Sequence, residues 1–62
     1  MFVKSFIVAI NSSLETMYEQ LADAGLDYMV ETFEDDNYLV ITFETLSARE
    51  IQEAIHIMKW YV

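Results

Sequence analysis

A chain of 62 residues forms one domain, and the absence of cysteine excludes disulfides and thiolate metal sites. Its 11 acids against 3 bases, a net charge of −8, oppose binding to nucleic acid or to an anionic membrane and favour a basic partner. The chain is also 55% hydrophobic and 15% aromatic, which excludes a disordered acidic tail and is typical of small domains that gain stability by self-association.

The first predicted element is a β-strand over Phe2–Ile10, because the segment is rich in Phe, Val and Ile and contains no breaker. Its apolar residues occur at both even-numbered and odd-numbered positions, so both faces of the strand are apolar. Such a strand is either covered on both faces or meets a partner on one of them. No stretch of the chain has the pattern of a targeting segment or of a membrane span, so we expect a cytoplasmic protein.

A helix is predicted next, over about Ser13–Ala24. Ser12 and Glu15 have the spacing of a capping box, which would fix its start. Gly25, the only glycine, suits the left-handed position after the last helical residue, and Leu26 follows where a Schellman motif places its apolar contact. The predicted core stripe of this helix consists of Leu14, Met17, Tyr18 and Leu21.

A β-hairpin is predicted from two further strands, Leu26–Glu34 and Tyr38–Glu44, joined by the turn Glu34-Asp35-Asp36-Asn37 with Phe33 opposite Tyr38. One hairpin face is assigned to the core, with cross-strand pairs Tyr28/Phe43, Val30/Ile41 and Thr32/Leu39. The other face carries Met29, Phe33, Tyr38 and Val40.

The last predicted element is a second helix, which a capping box formed by Ser47 and Glu50 would open. Its predicted core stripe is Ile51, Ala54, Ile55 and Met58, and a second apolar stripe is Ile57, Trp60 and Tyr61. His56 lies between the two stripes, which favours a partly buried structural histidine.

The order β-α-β-β-α predicts an α+β fold in two layers: a three-stranded sheet with strand order 1-3-2 and both helices on one face. This layout resembles a truncated ferredoxin-like unit that lacks its last strand. The sheet face that carries Met29, Phe33, Tyr38 and Val40 would then have no cover.

No constellation for catalysis or for a cofactor is present. His56 is the only imidazole and has no nucleophile to activate, so we expect a protein that is not an enzyme. The segment Glu34–Asn37 offers carboxylates without the alternating ligand spacing of a calcium loop, so no metal site is expected.

Two sets of residues are candidates for binding a partner. Residues 5–48 contain no Lys or Arg, whereas an ordinary soluble surface mixes both signs of charge. The candidate acids are Glu15, Glu19, Asp23, Asp27, Glu31, Glu34, Asp35 and Asp36. The candidate apolar anchors are Met29, Phe33, Tyr38, Val40 and Trp60.

Two functions are compatible with these sets. The acids could replace phosphate charges and occupy the basic surface of a protein that handles DNA or RNA. The alternative is a small homo-oligomeric structural or assembly protein, a homodimer in the simplest case, whose bare sheet face is buried by its own copy.

In its small size, strong acidity and compact α/β layout with many aromatic residues, the chain resembles the phage-encoded inhibitors that mimic DNA, of the anti-restriction and anti-CRISPR type. The resemblance extends over the whole chain in character and contains no diagnostic motif. It implies a non-enzymatic inhibitor that acts in the host cytoplasm on a protein partner.

Overall fold

The computed structural model describes all residues, Met1–Val62, and confirms the predicted order of elements. The three strands and two helices are β1 (Phe2–Ala9), α1 (Leu14–Asp23), β2 (Met29–Phe33), β3 (Tyr38–Thr45) and α2 (Ala48–Met58). β2 begins three residues later than predicted, because the chain leaving α1 reaches the sheet only at Met29.

The sheet has the predicted strand order, β1-β3-β2, and both pairings are antiparallel. β3 is therefore the central strand and the other two are edges. The hairpin has the predicted register, with Phe33 opposite Tyr38 and Val30 opposite Ile41. On the other side of β3, Phe2 pairs with Thr45 and Ala9 with Tyr38.

One apolar core lies between the sheet and the two helices. α2 packs over β1 and β3, and α1 packs beside α2. The buried residues are Val8, Met17, Leu21, Leu26, Ile41, Phe43, Ala54 and Met58. Aromatic rings extend this core towards the start of β2, where Tyr28 stacks on Tyr18 at 5.9 Å between ring centroids and contacts Phe43 at 6.1 Å.

The start of α1 differs from the prediction. The N-cap is Ser13, whose side chain makes no capping hydrogen bond, and the capping box of Ser12 and Glu15 is wrong. The side chain of Asn11 acts instead: its Oδ1 accepts a hydrogen bond from the Ser13 N–H at 2.8 Å. Asn competes well for local backbone donors, and this Asx turn leads the chain directly from β1 into the helix.

The end of α1 is as predicted. Gly25 has φ +70°, and its N–H donates to Ala22 O at 3.0 Å. The N–H of Leu26 donates to Leu21 O at 3.1 Å, so the two bonds form a Schellman motif. Leu26 is buried in the core, which anchors the turn to the helix that it ends.

Half of the capping box predicted for α2 is confirmed. The N–H of Glu50 donates to Ser47 Oγ at 3.4 Å. The carboxylate of Glu50 accepts a hydrogen bond from the Thr45 hydroxyl, and Thr45 Oγ1 accepts one from the Ser47 N–H at 3.1 Å. Thr45, at the end of β3, thus relays the second half of the box and joins the strand to the helix.

The packing of α2 is rotated relative to the prediction. Ala54 and Met58 are fully buried, and Ile57 and Tyr61 are also packed against the core. Ile55, predicted as a core residue, is 40% exposed, and His56 is exposed rather than partly buried. The cause is the position of α1, which packs against the side of α2 that carries Ile57 and Tyr61 and so covers these residues. Tyr61 OH donates a hydrogen bond to Gln20 Oε1 of α1 at 2.7 Å.

The core face of β2 is also less covered than predicted. Val30 is 42% exposed and Thr32 is exposed, although their partners on β3, Ile41 and Leu39, are buried and half-buried. The helical layer rests on β1 and β3, and Tyr18 of α1 stacks on Tyr28, the residue before β2.

Candidate binding surface

Every carboxylate of the chain is exposed. None of the 11 Asp and Glu residues is even half-buried, and the core contains no polar or charged residue. Carboxylates that keep their hydration contribute to the field around the molecule and are free to pair with a second protein. The acids are therefore surface groups without a role in the core.

Three of the acids form a ridge along α1. Glu15, Glu19 and Asp23 are four residues apart, which places them about 6 Å from one another along the helix axis. Glu19 lies two residues from both Met17 and Leu21, about 200° around the helix from each. Since Met17 and Leu21 are completely buried, the ridge runs along the side of α1 that faces away from the core.

Three more acids occupy the tip of the hairpin in an unusual backbone conformation. Glu34, Asp35 and Asp36 have φ values of 52°, 54° and 66°, all in the left-handed region. The N–H of Asn37 donates to Glu34 O at 3.1 Å and closes the turn. Left-handed backbone costs about 1–2 kcal/mol for a residue with a Cβ, so this tip stores strain.

The hairpin tip lies at the same end of the molecule as the start of α1. The N–H of Ile10 donates to Asn37 O at 3.3 Å, and the chain then passes through Asn11 into the helix. Glu15, in the first turn of α1, is thus at the end of the molecule where the tip acids lie. We call the ridge and the tip together the acidic crest (Glu15, Glu19, Asp23, Glu34, Asp35 and Asp36).

The two remaining candidate acids lie elsewhere. Asp27 precedes β2 at the opposite end of the sheet, near Glu44 and Glu50, where the three carboxylates surround a small pocket lined by Leu26, Phe43 and Thr45. Glu31 lies on the face of the sheet that the helices leave bare, opposite Val40. The eight acids therefore occupy three separate surfaces.

The bare side of the sheet, which we call the open face, carries most of the predicted apolar anchors. Met29, Phe33 and Tyr38 are exposed and Val40 is half-buried. The register adds two exposed β1 residues that the candidate list lacks, Val3 and Ile7, opposite Glu44 and Val40. The sequence contained the evidence for these two residues, because apolar residues occupy odd-numbered positions of β1 as well as even-numbered ones.

Trp60 is not part of the open face. It follows α2 on the helical side of the molecule, is 73% exposed, and has Lys59 Nζ at 5.6 Å from its ring centroid. It borders a groove between the two helices that Gln20, Asp23, Ala24, His56 and Ile57 also line. The predicted apolar anchors therefore belong to two surfaces on opposite sides of the sheet.

No group of three or more acids and histidines is placed to hold a metal ion. Ser47 Oγ and Thr45 Oγ1 accept hydrogen bonds within the cap of α2. Neither helix has the length and apolar character that crossing a bilayer requires.

Comparison of the chain with protein-family models, with curated proteins and with solved structures gives no match in any of the three. Function is therefore inferred from the surface itself.

Proposed function

We propose that this protein is a small acidic inhibitor or regulator that occupies a basic, nucleic-acid-binding surface of another protein. The observation that carries the proposal is the exposure of all 11 carboxylates in a chain whose residues 5–48 contain no base. The acidic crest would supply attraction and orientation, and exposed apolar side chains would supply contact area.

The three bases are separated from the acidic crest along the chain. Lys4 belongs to edge strand β1, and Arg49 and Lys59 lie at the two ends of α2. Neither α1 nor the hairpin contains a cation. α1 and the hairpin therefore carry only negative charge, and the field of such a surface speeds and directs encounter with a basic groove.

The spacing of the acids supports replacement of phosphates. Carboxylates along α1 recur about every 6 Å, whereas phosphates along one DNA strand recur about every 3.4 Å of axis. The α1 ridge thus has roughly half the linear charge density of one strand. The strained hairpin tip adds three consecutive carboxylates at the end of the molecule where α1 begins.

The experiment uses affinity capture followed by competition. Immobilised protein is exposed to a cell lysate at low salt, and each captured protein is purified and titrated with its own DNA or RNA in the presence of the chain. We expect displacement of the nucleic acid, and we expect the affinity of the complex to fall by on the order of tenfold or more between about 50 and 200 mM salt.

A matched pair of variants tests the role of the crest. Asp35→Asn with Asp36→Asn removes two crest charges in a conformation that Asn tolerates, and should weaken the complex. Glu53→Gln removes a charge from α2, outside the crest, and should change affinity little. The proposal is wrong if the captured protein keeps its nucleic acid, or if neither salt nor the Asp35/Asp36 pair changes its affinity.

A further inference from the structure

Edge strand β1 has little of the usual protection against pairing with another strand. It is eight residues long, contains no proline, and exposes Phe2, Val3 and Ile7. Natural edges are normally blunted by charges, prolines or bulges, because an open edge is a template for another strand. β1 carries one charge, Lys4, and is the only strand or helix of the chain without an acid.

The hydrogen-bond pattern shows which groups the edge offers. The bond from the Ile10 N–H to Asn37 O continues the β1–β3 register, so β1 residues of that parity bond to β3. In an antiparallel ladder the alternate residues direct both backbone groups to the other side. Val3, Ser5, Ile7 and Ala9 therefore present their N–H and C=O groups outwards.

The flank of α2 above this edge is also free of acids. α1 lies beside Ile57 and Tyr61, so the opposite flank of α2 is the one on the β1 side of the sheet. At about 100° per residue, that flank contains Ile51, Ile55, Gln52 and Lys59. Ile55 on this flank is 40% exposed, so part of an apolar side chain faces solvent in the monomer.

We propose that two copies of the chain pair through their β1 edges, antiparallel, to form a continuous six-stranded sheet. Hydrogen-bonded pairs must join outward-directed residues, and one register that does so pairs Ser5 with Ile7 of the second copy and Val3 with its Ala9. This parity places the open faces of both copies on one side of the sheet and both helical layers on the other.

The geometry of the pair matches helix packing. α2 lies over β1 and β3, so its axis stands about one strand spacing, 4.8 Å, from the two-fold axis between the copies. The two α2 helices then lie about 10 Å apart, the distance at which helices pack side by side. Ile55 of each copy would fill the space between them.

Charge selects a second copy by this edge over the other surfaces. Two molecules of net charge −8 repel each other. Neither β1 nor the adjacent flank of α2 contains an acid, so pairing through this side does not bring carboxylates of the two copies together. Stacking of two open faces would instead enclose Glu31 and Glu44. The other edge, β2, contains Glu31 and leads into the acidic hairpin tip.

The association is expected to be reversible. The monomer exposes 4369 Å², close to the roughly 4,200 Å² typical of a folded protein of this mass. The surface of a single copy is thus no larger than that of an ordinary monomer, and we expect the pair to form in proportion to concentration.

The test is sedimentation equilibrium of the full chain over a range of concentrations and salt. Dimerisation should strengthen with salt between about 50 and 500 mM, because salt screens the repulsion between like-charged copies. Binding to a basic partner should weaken over the same range, so the two associations are distinguished by the sign of their salt dependence.

Two matched pairs of variants locate the interface. Ser5→Pro removes an outward N–H from β1 and should weaken the dimer about tenfold or more. Thr32→Pro removes an outward N–H from β2 and should leave the dimer intact. Ile55→Glu should weaken the dimer as well, whereas Val30→Glu, at a residue of equal exposure, should not.

Far-UV circular dichroism checks that each variant is folded, and Ile55→Glu decides the result if proline disrupts the strand. The proposal is overturned by a chain that stays monomeric at about 1 mM and high salt. A dimer that survives Ile55→Glu, or that Val30→Glu disrupts to the same extent, also overturns it.

Discussion

Replacing Glu34 with glycine should stabilise the fold, because Glu34 begins the run of three left-handed residues at the hairpin tip. Glu34 is the least suited of the three to this conformation, since Asp and Asn enter the left-handed region more readily than longer side chains. Relief of about 1–2 kcal/mol of strain, less the 0.5–1 kcal/mol or so that the flexibility of glycine costs, leaves a net gain that is about 0.5–1 kcal/mol at the middle of the two ranges.

The measurement is thermal unfolding followed by far-UV circular dichroism at low protein concentration. For a domain of this size, a change of 1 kcal/mol shifts Tm by about 4–8 °C, so Glu34→Gly should raise Tm by about 2–8 °C. Urea unfolding should show the same gain with an unchanged slope, because the surface exposed on unfolding does not change.

Two control variants separate backbone strain from charge. Asn37→Gly changes a residue of the same turn whose φ is not positive, and should lower stability by about 0.5–1 kcal/mol. Glu34→Gln removes the charge but keeps the Cβ, so it should leave most of the strain in place. A rise in Tm for Glu34→Gln equal to that for Glu34→Gly, or a fall for both glycine variants, would refute the reasoning.

Two further predictions concern the ends of the helices, and both are measured by urea unfolding. Ser47→Ala should cost about 1 kcal/mol through loss of the cap of α2, whereas Ser12→Ala should change the free energy of unfolding by less than about 0.5 kcal/mol because α1 has no side-chain cap there. Gly25→Ala should cost about 1–2 kcal/mol through its φ of +70° alone, since an added Cβ would meet nothing within 4 Å; Gly25→Asn should cost less.

Local signals in the sequence were sufficient to predict the elements and the register of the hairpin. The alternation of apolar residues around a short turn places Phe33 opposite Tyr38, because a slip of one residue would turn every side chain to the wrong face. A single glycine followed by Leu26 predicts the Schellman motif for the same kind of reason: only one position accepts φ of +70° at low cost.

The predictions are wrong where burial or capping depends on the packing of segments that are distant in sequence. Val30 has the parity of a core residue, but its burial depends on how far the helical layer extends across the sheet. α2 has two adjacent apolar stripes, one with Ile55 and one with Ile57 and Tyr61, and either could face the core. The position of α1 determines which of the two is buried. At the start of α1, Ser12 and Asn11 both carry a side-chain oxygen that can accept a hydrogen bond from the backbone. The path of the chain from β1 determines that Asn11 is the acceptor.

The candidate surface was predictable residue by residue but not as a shape. Exposure of the acids follows from their chemistry, whereas their division among the crest, the open face and the Asp27 end follows from the path of the chain. Val3 and Ile7 join Met29 and Phe33 only because β3 lies between the two edge strands, which no local pattern reveals.

The central position of β3 has a consequence for the order of folding. The hairpin of β2 and β3 joins segments that are neighbours in sequence. β1 instead pairs with residues that are synthesised much later: Ala9 pairs with Tyr38, and Phe2 with Thr45. Closing that long loop costs entropy before any pairing repays it, so docking of β1 is expected to be a late step. During synthesis, the most apolar strand is thus the one that remains longest without its neighbour, in contact with water and with whatever binds nascent chains.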